Sequence, residues 1–229
     1  MPASPHLSVQ SSAQPSARPE AQPLILATRN PGKVRELADA LRRFGFDVRP
    51  LPEDFPEIEE TGSTFEENAR LKAHAVADTL GLPALADDSG LEVDALNGAP
   101  GVYSARYGLD IPPLPGEGDD ARNNRKLLAV LAHTPCPRTA RFRCCMALAR
   151  PCKPDLVVHG VWEGHIADTP SGNNGFGYDP LFFDPELGRI SAELTREEKN
   201  SRSHRGKALR LLLQALEGEQ AGGGASAPA

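Results

Sequence analysis

The chain has 229 residues, 39% of them hydrophobic, and a formal net charge of -6 from 25 basic and 31 acidic side chains. That length fits one domain or a closely joined two-lobed one. The acidic balance argues against a protein whose main task is to coat nucleic acid, but not against a small phosphorylated ligand held by a local cluster of Lys and Arg. No apolar run is long enough to span a bilayer. The 4 cysteines, Cys136, Cys144, Cys145 and Cys152, form no Cys-x-x-Cys pair and no zinc-type spacing with His. They read as reduced thiols of a cytosolic chain.

Residues 1–22 are rich in Pro, Ser, Ala and Gln and lack the positive start and apolar centre of a secretory signal. They read as a disordered extension, as do residues 219–229, which leaves a folded domain over 23–218.

In chain order, the run LILAT (24–28) predicts a short buried strand, and RNPGK a turn. From Val34 the apolar residues Val34, Leu37, Ala38 and Leu41 fall on one helical face, stopped by Gly45. FDVRPL is the next strand, so the chain opens as an α/β protein. A second helix is predicted over 61–80. Ser63 with Glu66, or Thr64 with Glu67, offers a capping box, and Phe65, Ala69, Ala73, Val76 and Leu80 form the apolar face. LPALA then reads as a buried strand, followed directly by Asp87-Asp88-Ser89-Gly90. A short helix is predicted over 123–132. TARFRCCMALAR and DLVVHGVWEGHIA read as an antiparallel pair of long strands. SHRGKALRLLLQALE closes the fold as an amphipathic helix capped by Ser203 or Ser201.

Four stretches carry candidate chemistry. Thr28, Arg29, Asn30, Pro31, Gly32 and Lys33 lie between a strand and a helix N-terminus, where unpaired N–H groups and the helix dipole attract phosphate. Asp87 and Asp88 at the end of a buried strand call for a positive partner, and Mg2+ is the usual one in phosphate chemistry. Glu59 and Glu60 offer a further metal ligand. The stretch GNNGFGYDPLFF, from Gly172 to Phe183, sets Phe176 and Tyr178 among glycines, a loop suited to holding something flat. Arg196, Lys199, Arg202, His204 and Arg205 cluster at the start of the last helix, where cations oppose the dipole and so call for a partner. Together these describe a nucleotide site: phosphates, metal, stacked base and donors to the base edge.

The segments LATRNPGKVREL, EETGSTFEENARLKA, ALADDSGLEVDALNGAPGVYSARY, GFGYDPLFF and AELTREEKNSRSHRGKAL resemble the inosine/xanthosine triphosphate pyrophosphatase family. The resemblance covers essentially the whole chain between its tails. It implies an α/β fold: a two-lobed subunit with a mixed, elongated central sheet flanked by helices, a nucleotide cleft between the lobes, and assembly as a homodimer. It implies Mg2+-dependent hydrolysis of ITP, dITP or XTP to the monophosphate and pyrophosphate in the cytoplasm, cleansing the nucleotide pool, with no nucleic-acid or membrane partner. Carried over by position, it makes Thr28 to Lys33 the triphosphate loop and Asp88 the proton acceptor and metal ligand, with Glu60 a second metal candidate. Ser89 becomes a substrate contact, Phe176, Gly177, Tyr178 and Asp179 the base loop, and Lys199, His204 and Arg205 the remaining nucleotide contacts. Arg29 departs from the family's pattern, standing where many members have Gly. The rival readings are a Maf-like pyrophosphatase with other nucleotide preferences and a nucleotide sensor without hydrolysis.

Overall fold

The computed structural model describes residues 21–223. The tails expected over 1–22 and 219–229 lie outside the described residues except at their inner ends, where the first strand opens at Gln22 and the last helix runs on to Gly223. Among the described residues, seven strands form one mixed sheet: β1 (Gln22–Leu26), β2 (Phe46–Pro50), β3 (Ala84–Val93), β4 (Thr139–Arg150), β5 (Lys153–Ile166), β6 (Phe182–Asp184) and β7 (Arg189–Ile190). Their order is β2-β1-β3-β4-β5-β6-β7. β1 runs parallel to β2 and β3, and every later pairing is antiparallel. The helices are α1 (Pro31–Arg43), α2 (Phe65–Leu80), α3 (Asp119–Val130), α4 (Arg196–Arg202) and α5 (His204–Gly223).

Strand alternation divides the core between the two sheet faces. Leu24, Leu26, Leu85, Cys144, Met146 and Leu148 face one way and pack with Leu37 and Leu41 of α1 and Leu212 of α5. Ile25, Ala84, Ala86, Cys145, Ala147 and Ala149 face the other way and meet Ala69, Ala73 and Val76 of α2. This second layer is largely alanine, so α2 lies close against the sheet. Cys144 and Cys145 thus occupy opposite faces, as their adjacency in a strand requires. All four cysteines are free, and burial pushes the Cys145 thiol up to about 12. A third cluster, with Leu91, Phe142, Trp162, Tyr178 and Phe182, fills the far end of the sheet under α3.

Several boundaries differ from the sequence pattern. α1 begins at Pro31 rather than Val34, because Asn30 caps it and Pro is at home in the first turn. α2 begins at Phe65 rather than Thr61. The capping box is Thr64 with Glu67, and Ser63 also bonds Glu67 through its N–H and hydroxyl. α3 starts at Asp119, four residues before the predicted Asn123. Asp87-Asp88-Ser89-Gly90 is not a segment beyond a strand end. It is strand throughout, because β4 pairs with β3 without a break from Ala84↔Ala149 to Val93↔Ala140. The predicted closing helix is α5, and a separate short helix, α4, precedes it. Ser203 takes an extended conformation between them and caps α5 by accepting the Gly206 N–H at 3.1 Å.

Candidate active site

The site lies where β1 ends and β3 continues. Ala27 N–H donates to the Leu85 carbonyl at 2.8 Å, after which the chain leaves the sheet through Thr28, Arg29 and Asn30 into α1. Past that point β3 has lost its parallel neighbour, and a cavity of about 400 Å³ opens beside it. Asn30 Oδ1 accepts the N–H groups of Gly32 and Lys33 at 2.9 and 3.3 Å. The first turn of α1 is therefore capped by its own side chain, not open as the sequence suggested. Arg29 lines the cavity and donates to the Phe55 carbonyl, tying down the segment after β2.

On the α1–α5 side of β3, Asp87 is buried between two cations. Lys33 Nζ lies 3.0 Å and Arg205 Nε 3.3 Å from Asp87 Oδ2. Burial favours the neutral acid, but Lys33, Arg205 and Lys72 outweigh it and hold the carboxyl far below its ordinary range. Ser89, two residues on and so on the same face, donates to Asp87 at 3.2 Å and accepts from Arg205 at 2.9 Å. The helix end reaches this position because Gly160 of β5 has no side chain: a Cβ there would lie 2.0 Å from the His204 carbonyl oxygen.

Asp88 points to the opposite face. Its oxygens receive Asn68 Nδ2 at 3.2 Å and Lys72 Nζ at 3.0 Å. Lys72 also reaches Glu60 at 2.6 Å, and Arg106 approaches Glu60 at 3.5 Å. Burial lifts the Asp88 carboxyl above its ordinary value despite the pull of Lys72, and Glu60 adds to the rise. For Glu60 burial acts the same way, but Lys72 outweighs it and the carboxyl is lowered. Burial opposes the charge on Lys72 too, yet Asp88, Asp87 and Glu60 together raise it.

The glycine loop forms the third wall. Asp179 is buried and serves the loop itself, accepting from Phe176 N–H at 2.8 Å, Ser191 Oγ at 2.7 Å and Lys199 Nζ at 2.5 Å. Gly175 has φ +81°, and a Cβ there would lie 2.0 Å from Asp179 Oδ2, so both the turn and the approach require glycine. Tyr178 is buried and its hydroxyl donates to the Ser104 carbonyl at 2.9 Å. Phe176 remains beside the cavity, with Lys199 Nζ 5.0 Å and the Arg205 guanidinium 5.4 Å from its ring centre. His204 stacks on Phe142 with centroids 4.8 Å apart. Burial, with Arg205 and Lys199 nearby, depresses its pKa far below the ordinary value and keeps it neutral. Its buried Nδ1 has no hydrogen-bond partner among the described residues.

Of the residues singled out from the sequence, Thr28, Arg29, Asn30, Lys33, Glu60, Asp88, Ser89, Phe176, Gly177, Tyr178, Asp179, Lys199, His204 and Arg205 all line this one cavity. Pro31, Gly32, Asp87 and Glu59 do not. The basic group is not a cluster at one helix start. Lys199 and Arg202 sit in the last turn of α4, where the dipole favours them, and His204 and Arg205 open α5. Arg202 turns away to Asp184 at 2.9 Å. Sequence reasoning missed Lys72 and Asn68. Their signal was legible: both fall on the apolar stripe of α2, beside Ala69 and Ala73, where a buried polar side chain needs a partner.

Fold and site define an α/β protein with a cleft beside β3 that brings cations, carboxylates and aromatic rings together. The chain belongs to the Ham1 family, whose model matches residues 24–215. It is 64% identical over 195 residues to a dITP/XTP pyrophosphatase of Nitratidesulfovibrio vulgaris, covering 83% of this chain and 94% of that one. It is 53% identical over 199 residues to a dITP/XTP pyrophosphatase of Pectobacterium atrosepticum, covering 85% and 98%. The solved structure of the Staphylococcus aureus Ham1 protein superposes with a TM-score of 0.76 at 43% identity, covering 86% of this chain and 100% of that one.

Proposed function

We propose that this protein is a nucleoside triphosphate pyrophosphatase that hydrolyses ITP, dITP and XTP to the monophosphate and pyrophosphate, removing deaminated purines from the nucleotide pool. The observation that carries this reading is the single cleft joining Lys33, Lys72 and Arg205, the carboxylates of Asp88 and Glu60, and the ring of Phe176, in a chain so similar to dITP/XTP pyrophosphatases.

The metal is Mg2+, held by Asp88 and Glu60. The donor set fits: one oxygen of each carboxylate converges on a single cation position, now that of Lys72 Nζ, at 3.0 and 2.6 Å. Mg2+ takes one or two carboxylates and completes its coordination with water and phosphate oxygens, so two carboxylates suffice. Bound there, it would neutralise phosphate charge and supply Lewis-acid chemistry at the phosphoryl group.

This chain's own groups supply the rest. Asp88 holds the attacking water and accepts its proton at a carboxylate oxygen, a role its raised pKa favours. Lys33, at the start of α1, and Lys72 offset the charge that develops as pyrophosphate leaves. Phe176 stacks on the base. Arg205 and the unpartnered His204 Nδ1 meet the oxygen at C6. Adenine presents an amino group to the same donors and is rejected, because a buried polar mismatch discriminates strongly. The free cysteines suit a reducing cytosol, and the working assembly is the homodimer that the family resemblance implies. Among the described residues no helix is long and apolar enough to cross a membrane.

The test is pyrophosphate release from ITP, XTP, ATP and GTP, each with Mg2+ and with EDTA. Fast release from ITP and XTP alone, abolished by EDTA, is the expected result. Equal release from all four would discard the account of base selection. No release from any would leave a nucleotide-binding protein without hydrolysis.

A further inference from the structure

The base loop is held from two sides, and one of the holders belongs to neither the phosphate site nor the metal site. Gly177 N–H donates to Asp120 Oδ2 at 2.7 Å, and the Gly177 carbonyl accepts Asn124 Nδ2 at 2.9 Å. Asp120 and Asn124 lie one turn apart on α3, so they project on the same side and grip both polar groups of one residue. The loop needs such a grip. Gly172, Gly175 and Gly177 all have positive φ, at 82°, 81° and 62°, and glycine backbone is otherwise the freest in the chain. α3 is itself well anchored. Leu127 is buried in the core, and Asn123 bonds Ser104 O, Ala105 O and Gly108 N. Asp120 also lines the cavity. Its neighbour Asp119 pairs with Arg122 on the helix's own surface, whereas Asp120 is turned onto the loop.

We propose that Asp120 and Asn124 form a positioning brace: by fixing the Gly177 main chain they hold Phe176 where the purine stacks. Phe176 then lies between two anchors, buried Asp179 on its own loop and exposed Asp120 on α3. The first builds the loop. The second sets its distance from the cleft and, being open to water, is the side that can yield as a nucleotide enters. The inference rests on the reading of this loop as the base site.

The experiment combines amide hydrogen exchange over residues 172–179 with calorimetric binding of inosine monophosphate and of pyrophosphate, on the full chain and its Asp120→Ala, Asp120→Asn, Asn124→Ala and Phe176→Ala variants. Asp120→Ala is expected to speed exchange at Gly177 and weaken the monophosphate about tenfold, the worth of a hydrogen bond to a charged group. Pyrophosphate, which has no base, should bind within about twofold of wild type on the same reasoning. Asp120→Asn keeps an accepting oxygen and should recover most of the loss, and Asn124→Ala should fall between. Unchanged exchange, unchanged monophosphate affinity, or equal loss for both ligands would overturn the brace. If Phe176→Ala leaves the monophosphate untouched, the base-site reading fails and takes the brace with it. If Phe176→Ala weakens binding and Asp120→Ala does not, only the brace fails.

Discussion

Asp87 and Asp88 are neighbours on one strand, and the two sides of the sheet treat them in opposite ways. Asp87 faces α1 and α5, enclosed by Lys33 and Arg205, and stays ionised far into acid. Asp88 faces α2, shares Lys72 with Glu60, borders the open cavity, and holds its proton more readily than an ordinary aspartate. Strand alternation alone separates them. The first carboxylate is a fixed charge that sets two cations in place. The second is poised for exchange with solvent, metal and proton. A strongly perturbed carboxyl in a cleft marks chemistry only when its partners leave it something to do.

The sharpest way to test this contrast is Asp88→Asn. The amide keeps one of the two acceptor oxygens that Asn68 and Lys72 use and cannot take a proton, so turnover should fall about 10²- to 10⁴-fold, the usual contribution of a positioned base. Thermal stability should fall by less than for Asp87→Asn, because Lys72 keeps Glu60. A rate near wild type would move the chemistry away from Asp88.

Asp87→Asn should do the reverse, costing stability first. Lys33 and Arg205 lose the charge they share, and breaking such a buried set costs about 3–5 kcal/mol, measurable by urea unfolding at pH 7. The pH dependence follows from the lowered folded-state pKa. Asp87 stabilises the fold above the unfolded value of about 4, and this contribution is lost as pH falls from there toward the folded value. The gap between wild type and variant should therefore narrow only below about pH 4. A gap that stays constant into strong acid would show that Asp87 carries no special charge.

The smallest effect belongs to Ser89→Ala. Ser89 lies on the side of Asp87, between that carboxylate and Arg205. Losing its hydroxyl should cost about 1 kcal/mol of stability and leave the pH profile of kcat in place. A collapse of kcat like that of Asp88→Asn would erase the distinction between the two faces.

Much of the fold was legible before any coordinates. The opening strand–turn–helix–strand, the Thr64–Glu67 cap, the paired long strands and the Ser203 cap all rest on signals a few residues apart. The misplaced features depended on distant partners. Whether β3 ends at Asp87 is decided by β4, which continues beside it. Lys72 stood legibly on the apolar stripe of α2, but its partners, Asp88 and Glu60, come from other elements. Asp179 lines the cavity, and only its remote partners Ser191 and Lys199 show that it also builds the loop.

By itself the sequence determined most of the secondary elements, the family and most of the residues that meet in the cleft, because backbone periodicity and capping act over one or two turns of chain. Only the tertiary structure decided which aspartate faces the cavity, which lysine stands between the two candidate metal ligands, and that α3 grips the base loop. Those are matters of burial and of charge against charge, and both depend on which remote segments the sheet and its helices bring within a few ångströms.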